Sequence, residues 1–392
     1  MSSNVFDNIN RISTERKSYS ESQFDYWNRS ARIEVDVIRQ MLEKWFSDYP
    51  KKEQNELRNR LRSDNDFQHY SAVFELFVHA LLFKLDCKAI VHPHIGNGTN
   101  KFPDFLVESK GGIKFYLECV LVTDESREET AARARINAVY DALNKNLKYP
   151  NFFVGMEIKG RPNTPPNAKK IRSFLEKQLK GLNPDTIAET FNRGGFKALP
   201  HWPYEYDGWT IDFFPISKSV SKREDSNIRP LGMQFEEAHH IDSRTAIRDA
   251  IIKKAGSYGN FDLPYVIALN ALCESVEKTD IEEALFGKEN FSLNGSECKM
   301  IGRLPDGAWI GKFGPQYKRV SAVLLMYPFS MWKLSKTPIC LCHNPWAKNK
   351  YISDLNCFPQ IAPIGNKLEW VRGKSVGDVM GLSSLWPFNG KR

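Results

Sequence analysis

Phe102-Pro103-Asp104-Phe105-Leu106-Val107-Glu108, Ser109-Lys110-Gly111-Gly112 and Ile113-Lys114-Phe115-Tyr116-Leu117-Glu118-Cys119-Val120-Leu121-Val122 run on as one stretch that reads as two apolar strands joined by a tight, Gly-containing turn. Each strand carries a carboxylate among residues that otherwise suit a buried sheet. Folding the hairpin about its turn places Asp104 almost opposite Leu117, one position from Glu118. Facing side-chain carbons in such a pair are roughly 5 Å apart. Two acids this close in an apolar wall repel each other unless they hold a cation or share a proton.

Upstream of this hairpin, residues 67–85 are the most apolar helical stretch of the chain. Phe74, Phe77, Val78, Leu81 and Leu85 form one stripe, and Leu76, Ala80 and Phe83 widen it almost all round, which predicts a buried helix. Glu75 and His79, one turn apart, share its only polar flank. Lys88–His94 reads as a strand, followed by a loop over Gly96–Asn100. Downstream, Thr123–Asn146 reads as a helix with capping-box spacing at Ser126 and Glu129, and Phe152–Ile158 as a further apolar strand. Helix, strand, strand, strand, helix, strand is the order of an α/β layer with a central mixed sheet.

Residues 1–23 are polar and read as loose. Trp27–Phe46 has helical spacing at Ile38, Met41, Leu42 and Trp45 and ends at Tyr49-Pro50. A charged helix follows over 51–63. Past the Pro162–Pro166 linker, Lys169–Leu182 is a basic amphipathic helix, two short strands fall around Tyr204–Pro215, and Ser217–Asn227 reads as an exposed loop. The last third restarts with a helix over Ser243–Tyr258 and strands at Pro264–Leu269, Val320–Leu325 and Ile339–Leu341. The expected division is a helical cap (1–66), a core with the basic helix (67–216), a linker (217–242) and a C-terminal α/β region (243–392) for recognition or dimerisation.

The bulk numbers suit a globular chain of one large or two medium domains: 392 residues, 41% hydrophobic, 26% charged and a net charge of +8. The mild basic excess is compatible with a nucleic-acid partner and does not demand one. Seven scattered cysteines read as reduced. The first residues lack the apolar segment of a secretory signal, and no run of about 18 apolar residues exists. The expectation is a cytoplasmic protein with no membrane partner.

Glu75, Asp104 and Glu118 are carboxylates brought by three separate elements, and convergent carboxylates suit a hard divalent cation, Mg²⁺ or Mn²⁺. At these residues, over about 67–160, the chain resembles the restriction-endonuclease-like, or PD-(D/E)XK, nuclease superfamily. The resemblance rests on Pro103-Asp104, on Glu118 in the next strand, on Glu75 in the preceding helix and on the element order. It implies a restriction-endonuclease-like core, Mg²⁺ held by Asp104 and Glu118 with help from Glu75, and hydrolysis of phosphodiester bonds in DNA, with RNA left open. Such enzymes commonly serve restriction, repair or phage defence. A homodimer is implied on the same analogy, since two strands need two sites.

The sequence departs from that pattern where the family has a Lys two residues after the second acid: here stands Val120. Lys114 lies on the same strand face but about 13 Å away at roughly 3.3 Å per residue. Arg133 and Asn137 on the next helix, and Lys101 before the Pro-Asp step, are the candidates to stand in for it, with Arg133 or Asn137 contacting the scissile phosphate. The alternative is a nuclease-fold module that lost its chemistry and binds nucleic acid or a protein partner. The basic helix at 169–180, together with Arg248, Lys253 and Lys254, reads as solvated helix faces, and Trp202, Tyr204, Tyr206 and Trp209 as core. Cys340-Leu341-Cys342-His343 has no second ligand pair at zinc spacing, His239-His240 sits in a polar stretch, and neither a P-loop nor a Gly-x-Ser-x-Gly elbow is present.

Overall fold

The computed structural model describes residues 4–94, 102–225, 228–236, 242–258, 261–273, 275–294, 297–364 and 367–388. The Gly96–Asn100 loop, Lys101 and His239-His240 lie outside the described residues. Four helices precede the first strand: α1 (Gln23–Arg29), α2 (Ile33–Asp48), α3 (Gln54–Leu61) and α4 (Asp66–Lys84). The single helix expected over Trp27–Phe46 is two, because the backbone turns extended at Ser30 and Arg32. The first residues are not loose. Val5 and Phe6 are buried, and Glu43 of α2 accepts both of their backbone N–H groups, at 3.1 and 2.8 Å. Asn65 caps α4 by accepting from the Gln68 N–H, and its apolar surface is buried from Ala72 to Leu82.

Three antiparallel strands follow, β1 (Lys88–Val91), β2 (Phe105–Glu108) and β3 (Lys114–Val122). Phe105 faces Leu117 and Glu108 faces Lys114. The register differs by one residue from the sequence-based expectation because Ile113 belongs to the turn. Ser109 bonds it twice, its N–H donating to the Ile113 carbonyl (2.8 Å) and its hydroxyl accepting from the Ile113 N–H (3.0 Å). Gly112, at φ +79°, closes that turn.

The chain then builds a second unit, residues 125–240 joined by 16–21. It holds α5 (Arg127–Asn146), β4 (Phe152–Gly160), α6 (Ala168–Leu179), α7 (Pro184–Gly194), β5 (Trp202–Tyr206), β6 (Trp209–Ser217) and β7 (Leu231–Glu236), with strands ordered β5-β6-β4-β7. The predicted capping box of Ser126 and Glu129 is present. Val139 and Leu143 of α5 and Ile171 and Leu175 of α6 pack with Val154, Met156, Phe213 and Phe214 in its core. Asp141 of α5 fastens the 16–21 segment by accepting from the N–H groups of Tyr19 and Ser20, at 2.8 and 2.7 Å.

The remaining elements belong to the first unit: α8 (Ser243–Ala255), β8 (Tyr265–Ala271), α9 (Lys278–Phe286), the hairpins β9 (Glu289–Asn294)/β10 (Glu297–Arg303) and β11 (Ile310–Gly311)/β12 (Gly314–Pro315), then β13 (Ala322–Met326), β14 (Ile339–His343), β15 (Gln360–Ile364), β16 (Lys367–Val371) and α10 (Val376–Met380). Among the described residues, one eight-stranded mixed sheet runs β1-β2-β3-β8-β13-β14-β15-β16. β8 lies parallel beside β3, with Glu118 level with Ile267. Strand alternation divides the core in two. Phe105, Val107, Phe115 and Leu117 face α4, whereas Tyr116, Val120 and Val122 face α8 and α9.

The protein is therefore mixed α/β, with a large mixed sheet flanked by helices on both faces. The division at 67–216 and 243–392 differs from the one found. The helix and strand that follow β3 in sequence, α5 and β4, belong to the second sheet, and the strand beside β3 is β8, which the chain reaches only after completing the second unit. No helix of the described residues is long and apolar enough to cross a membrane.

Candidate active site

The observed register moves Asp104 from beside Leu117 to the level of Glu118, one step beyond the end of β2. Alternation from Leu106 puts Asp104 on the α8 side of the sheet, where Glu118 also points. Asp104 Oδ2 accepts from the Cys119 N–H at 2.6 Å. Burial pushes the Asp104 carboxyl well above the usual carboxylate range, and the charges of Glu118 and Glu75 add to that rise. Asp104 is thus the acid that feels both of the others.

Glu118 is 3% exposed. Its two oxygens are taken from α8 and the residues just after it: Lys254 Nζ of α8 pairs with Oε1, and the hydroxyl of Tyr258, past the helix end, lies 2.7 Å from Oε2. The same hydroxyl lies 3.1 Å from the Phe102 carbonyl, two residues before Asp104. Burial by itself would lower the Lys254 amine, but Glu118 and then Asp104 hold it charged above its ordinary value. Burial and the Glu118 charge likewise raise the Tyr258 hydroxyl, so it remains a donor.

The sequence places Lys254 on a solvated helix face, whereas in the structure it pairs with the buried Glu118. The residues that α8 turns to the sheet are Ile247 and Ile251. Lys254 and Tyr258 continue their spacing at i+3, i+4 and i+7, so a lysine stands in the apolar stripe itself. That interruption was the signal available in the sequence. Val120, at the position where a lysine was missed, packs in the same core as Ile247 and Ile251. The helix that Val120 helps to seat carries an amino group back to Glu118.

Glu75 approaches from the α4 layer and is also engaged on both oxygens. The Tyr49 hydroxyl donates to Oε1 at 2.7 Å, and Arg60 Nη1 pairs with Oε2 at 2.8 Å. Arg60 grips Glu56 as well, at 2.6 and 2.8 Å. The Tyr49 ring packs tilted against His79, at 60° with centroids 4.8 Å apart, and burial lowers the His79 imidazole below its ordinary value. Removing the buried hydroxyl while leaving the buried acid exposes the full desolvation of that oxygen. Tyr49→Phe is therefore expected to lower stability by about 1.5–3 kcal/mol, read from the midpoint of urea unfolding.

Cys119, next to Glu118 in β3 and half-buried on the α4 side of the sheet, is withheld from nucleophilic chemistry: burial and then Asp104, Glu75 and Glu118 push its thiol well above the ordinary range. Arg133 and Asn137 belong to the second unit. Arg133 pairs with Glu125, Asn137 Nδ2 donates to the Tyr19 carbonyl at 3.1 Å, and both line a cavity of about 110 Å³ with Tyr140, Arg161 and Gln234. Cys340 and Cys342 sit side by side in the core, their sulfurs 3.6 Å apart, and His343 bonds Gln360 at 3.0 Å.

Of the five site residues expected from sequence, Asp104 and Glu118 lie level on the α8 face of the sheet, while Glu75 stands in the α4 layer with both oxygens engaged by Tyr49 and Arg60. Among the described residues, however, no three His, Cys, Asp or Glu side chains form a ready set of metal ligands. Comparison with family models, with curated proteins and with solved structures finds no match to this chain.

Proposed function

We propose that this protein is a Mg²⁺- or Mn²⁺-dependent endonuclease that hydrolyses phosphodiester bonds in DNA, with Asp104, Glu118 and Lys254 at its centre. The observation that carries this reading is Lys254 on Glu118, on the strand face that Asp104 shares. It supplies the cation that Val120 lacks, from the neighbouring helix. The order α4-β1-β2-β3, then α8-β8 with β8 parallel to β3, supports a restriction-endonuclease-like core in which residues 125–240 are inserted between the third strand and the second helix.

The donor set fits a hard cation. Asp104 is buried against two further acids and is short of positive charge, and carboxylate oxygens engaged in one hydrogen bond keep lone pairs for a metal. Asp104 and Glu118 would hold the ion, which when bound supplies charge to the phosphate oxygens and a water more acidic than bulk. Lys254 lends a second positive charge beside the attacked phosphate and aligns Glu118. Tyr258 fixes the other Glu118 oxygen and ties it to the backbone before Asp104. Glu75, held by Tyr49 and Arg60, acts as an outer acid that deepens the negative field at Asp104.

Supercoiled plasmid incubated with the purified chain should be nicked or linearised with Mg²⁺ or Mn²⁺ and stay intact with EDTA, and Asp104→Ala and Glu118→Ala should each remove cutting from a folded protein. Cleavage that survives both substitutions would overturn the assignment. A second reading, a binding module without chemistry, is favoured by the engagement of both Glu75 oxygens with structural partners. It predicts salt-sensitive DNA binding and no cutting with any divalent cation.

A further inference from the structure

We infer that the β11–β12 hairpin is a nucleic-acid probe, in which Phe313 stacks on a base and Lys312 takes the adjoining phosphate; this rests on the reading that the substrate is DNA. Ile310 pairs with Pro315 and Gly311 with Gly314, which leaves Lys312 and Phe313 as the two central residues of the turn. Gly314 reverses the chain at φ +95°. Phe313 is 104% exposed, with its whole ring in water. A lone exposed apolar residue is ordinary on a protein surface. Two further observations set this one apart.

The first is the rigidity of the stem. Ala308 and Trp309, a few residues before the tip, are fully buried, and their N–H groups bond the carbonyls of Ala284 and Leu285 at 2.7 and 3.0 Å. From the other side Gln316 donates its N–H to the Trp309 carbonyl (2.8 Å) and its side-chain amide to the carbonyls of Gly307 and Ala308, at 3.2 and 3.3 Å. That amide crosses the stem at Gly311, where a side chain would collide with it. The backbone that carries the ring is braced before anything binds, so only the side-chain freedom of Phe313 is lost on contact.

The second is charge. From Gly307 to Ser353 the sequence contains no Asp or Glu. Lys312, Lys318, Lys348 and Lys350 are exposed there, and the Lys348 N–H bonds the Lys318 carbonyl at 2.7 Å, which brings the two basic loops together. The next residue, Arg319, donates to the Tyr258 carbonyl at 2.5 Å. Tyr258 is the residue whose hydroxyl rests on Glu118, so the basic loops abut the scaffold of the acid cluster within one unit. Lys312 adjoins Phe313 in the turn, so a phosphate on that lysine sets a base beside a solitary aromatic on a two-stranded ribbon, a shape that enters a groove or a base step.

The test measures binding of a fluorescein-labelled DNA duplex with a single-stranded overhang by anisotropy, in EDTA, across a salt series. Phe313→Ala should weaken binding about tenfold with an unchanged salt dependence, and Phe313→Trp should restore it. Lys312→Ala should reduce the slope of log affinity against log salt by about one. Phe313→Ala binding DNA like the parent would overturn the inference. So would a loss, in that variant, of self-association or of binding to phosphatidylserine vesicles while DNA affinity is kept. The outcomes separate this inference from the catalytic one. Phe313-dependent binding without metal-dependent cutting sinks the nuclease reading and leaves the hairpin, whereas cutting with binding indifferent to Phe313 does the reverse.

Discussion

Lys254→Met is expected to lose about 3–5 kcal/mol of folding stability and, for the nuclease proposed above, all detectable cleavage. The size follows from what the substitution leaves behind. Glu118 is 3% exposed and keeps only the Tyr258 hydroxyl, while Asp104 stays level with it on the neighbouring strand. Taking one partner from a buried ion pair strands a charge that water cannot reach, which is the expensive case. Methionine has a similar length and keeps the packing of the stem, so the loss reports charge and not a cavity. The paired variant Lys254→Met/Glu118→Gln should recover most of the stability, because a neutral amide needs no counter-ion, but no activity. Urea unfolding of the three proteins and plasmid cleavage check both halves. If Lys254→Met unfolds at the parent's midpoint, the pair is solvated and Lys254 is not the site's cation.

Asp104→Asn is expected to show the opposite balance: it should melt higher than the parent and, for the nuclease proposed above, cut DNA about 10³-fold more slowly or worse. The amide oxygen still accepts from the Cys119 N–H, while the repulsion from Glu118 and Glu75 disappears. A gain of about 0.5–2 kcal/mol is expected, the range in which relieved functional sites fall. The sign with pH is fixed. Burial and its acidic neighbours raise the Asp104 carboxyl in the folded chain, so above the ordinary carboxylate range the folded state binds more protons than the unfolded one, and stability falls as pH rises through that window. The amide that replaces this carboxyl in the variant does not titrate and has no such slope, so the variant's advantage widens over the same interval. Adding Mg²⁺ should raise the melting temperature of the parent and leave that of Asp104→Asn unmoved, since a ligand stabilises only the state that binds it. A parent unaffected by Mg²⁺ and Mn²⁺ would count against the metal.

The hairpin around Asp104 and Glu118, the buried α4 and the α5 capping box were legible in the sequence because each is a local matter. Period-two alternation, an apolar surface on nearly every side, and Ser and Glu three residues apart each declare themselves within about twenty residues. One residue of register was not legible. Whether Ile113 joins the strand or the turn depends on the hydroxyl of Ser109, and that choice shifts Asp104 from Leu117 to Glu118.

The strand next to β3 was beyond local reading altogether. An amphipathic helix followed by an apolar strand occurs at α5-β4 and again at α8-β8, and periodicity is the same for both. The sequence by itself determined that α4 is buried and that one hairpin carries an acid on each of its strands. Only the tertiary structure decided that β8 rather than β4 completes the sheet, and with it that α8 carries Lys254 to Glu118 across 136 residues of chain. The reason is physical: hydrophobic burial is indifferent to which apolar strand it covers, and a salt bridge between distant residues exists only once the backbone hydrogen bonds of the sheet have chosen the neighbour.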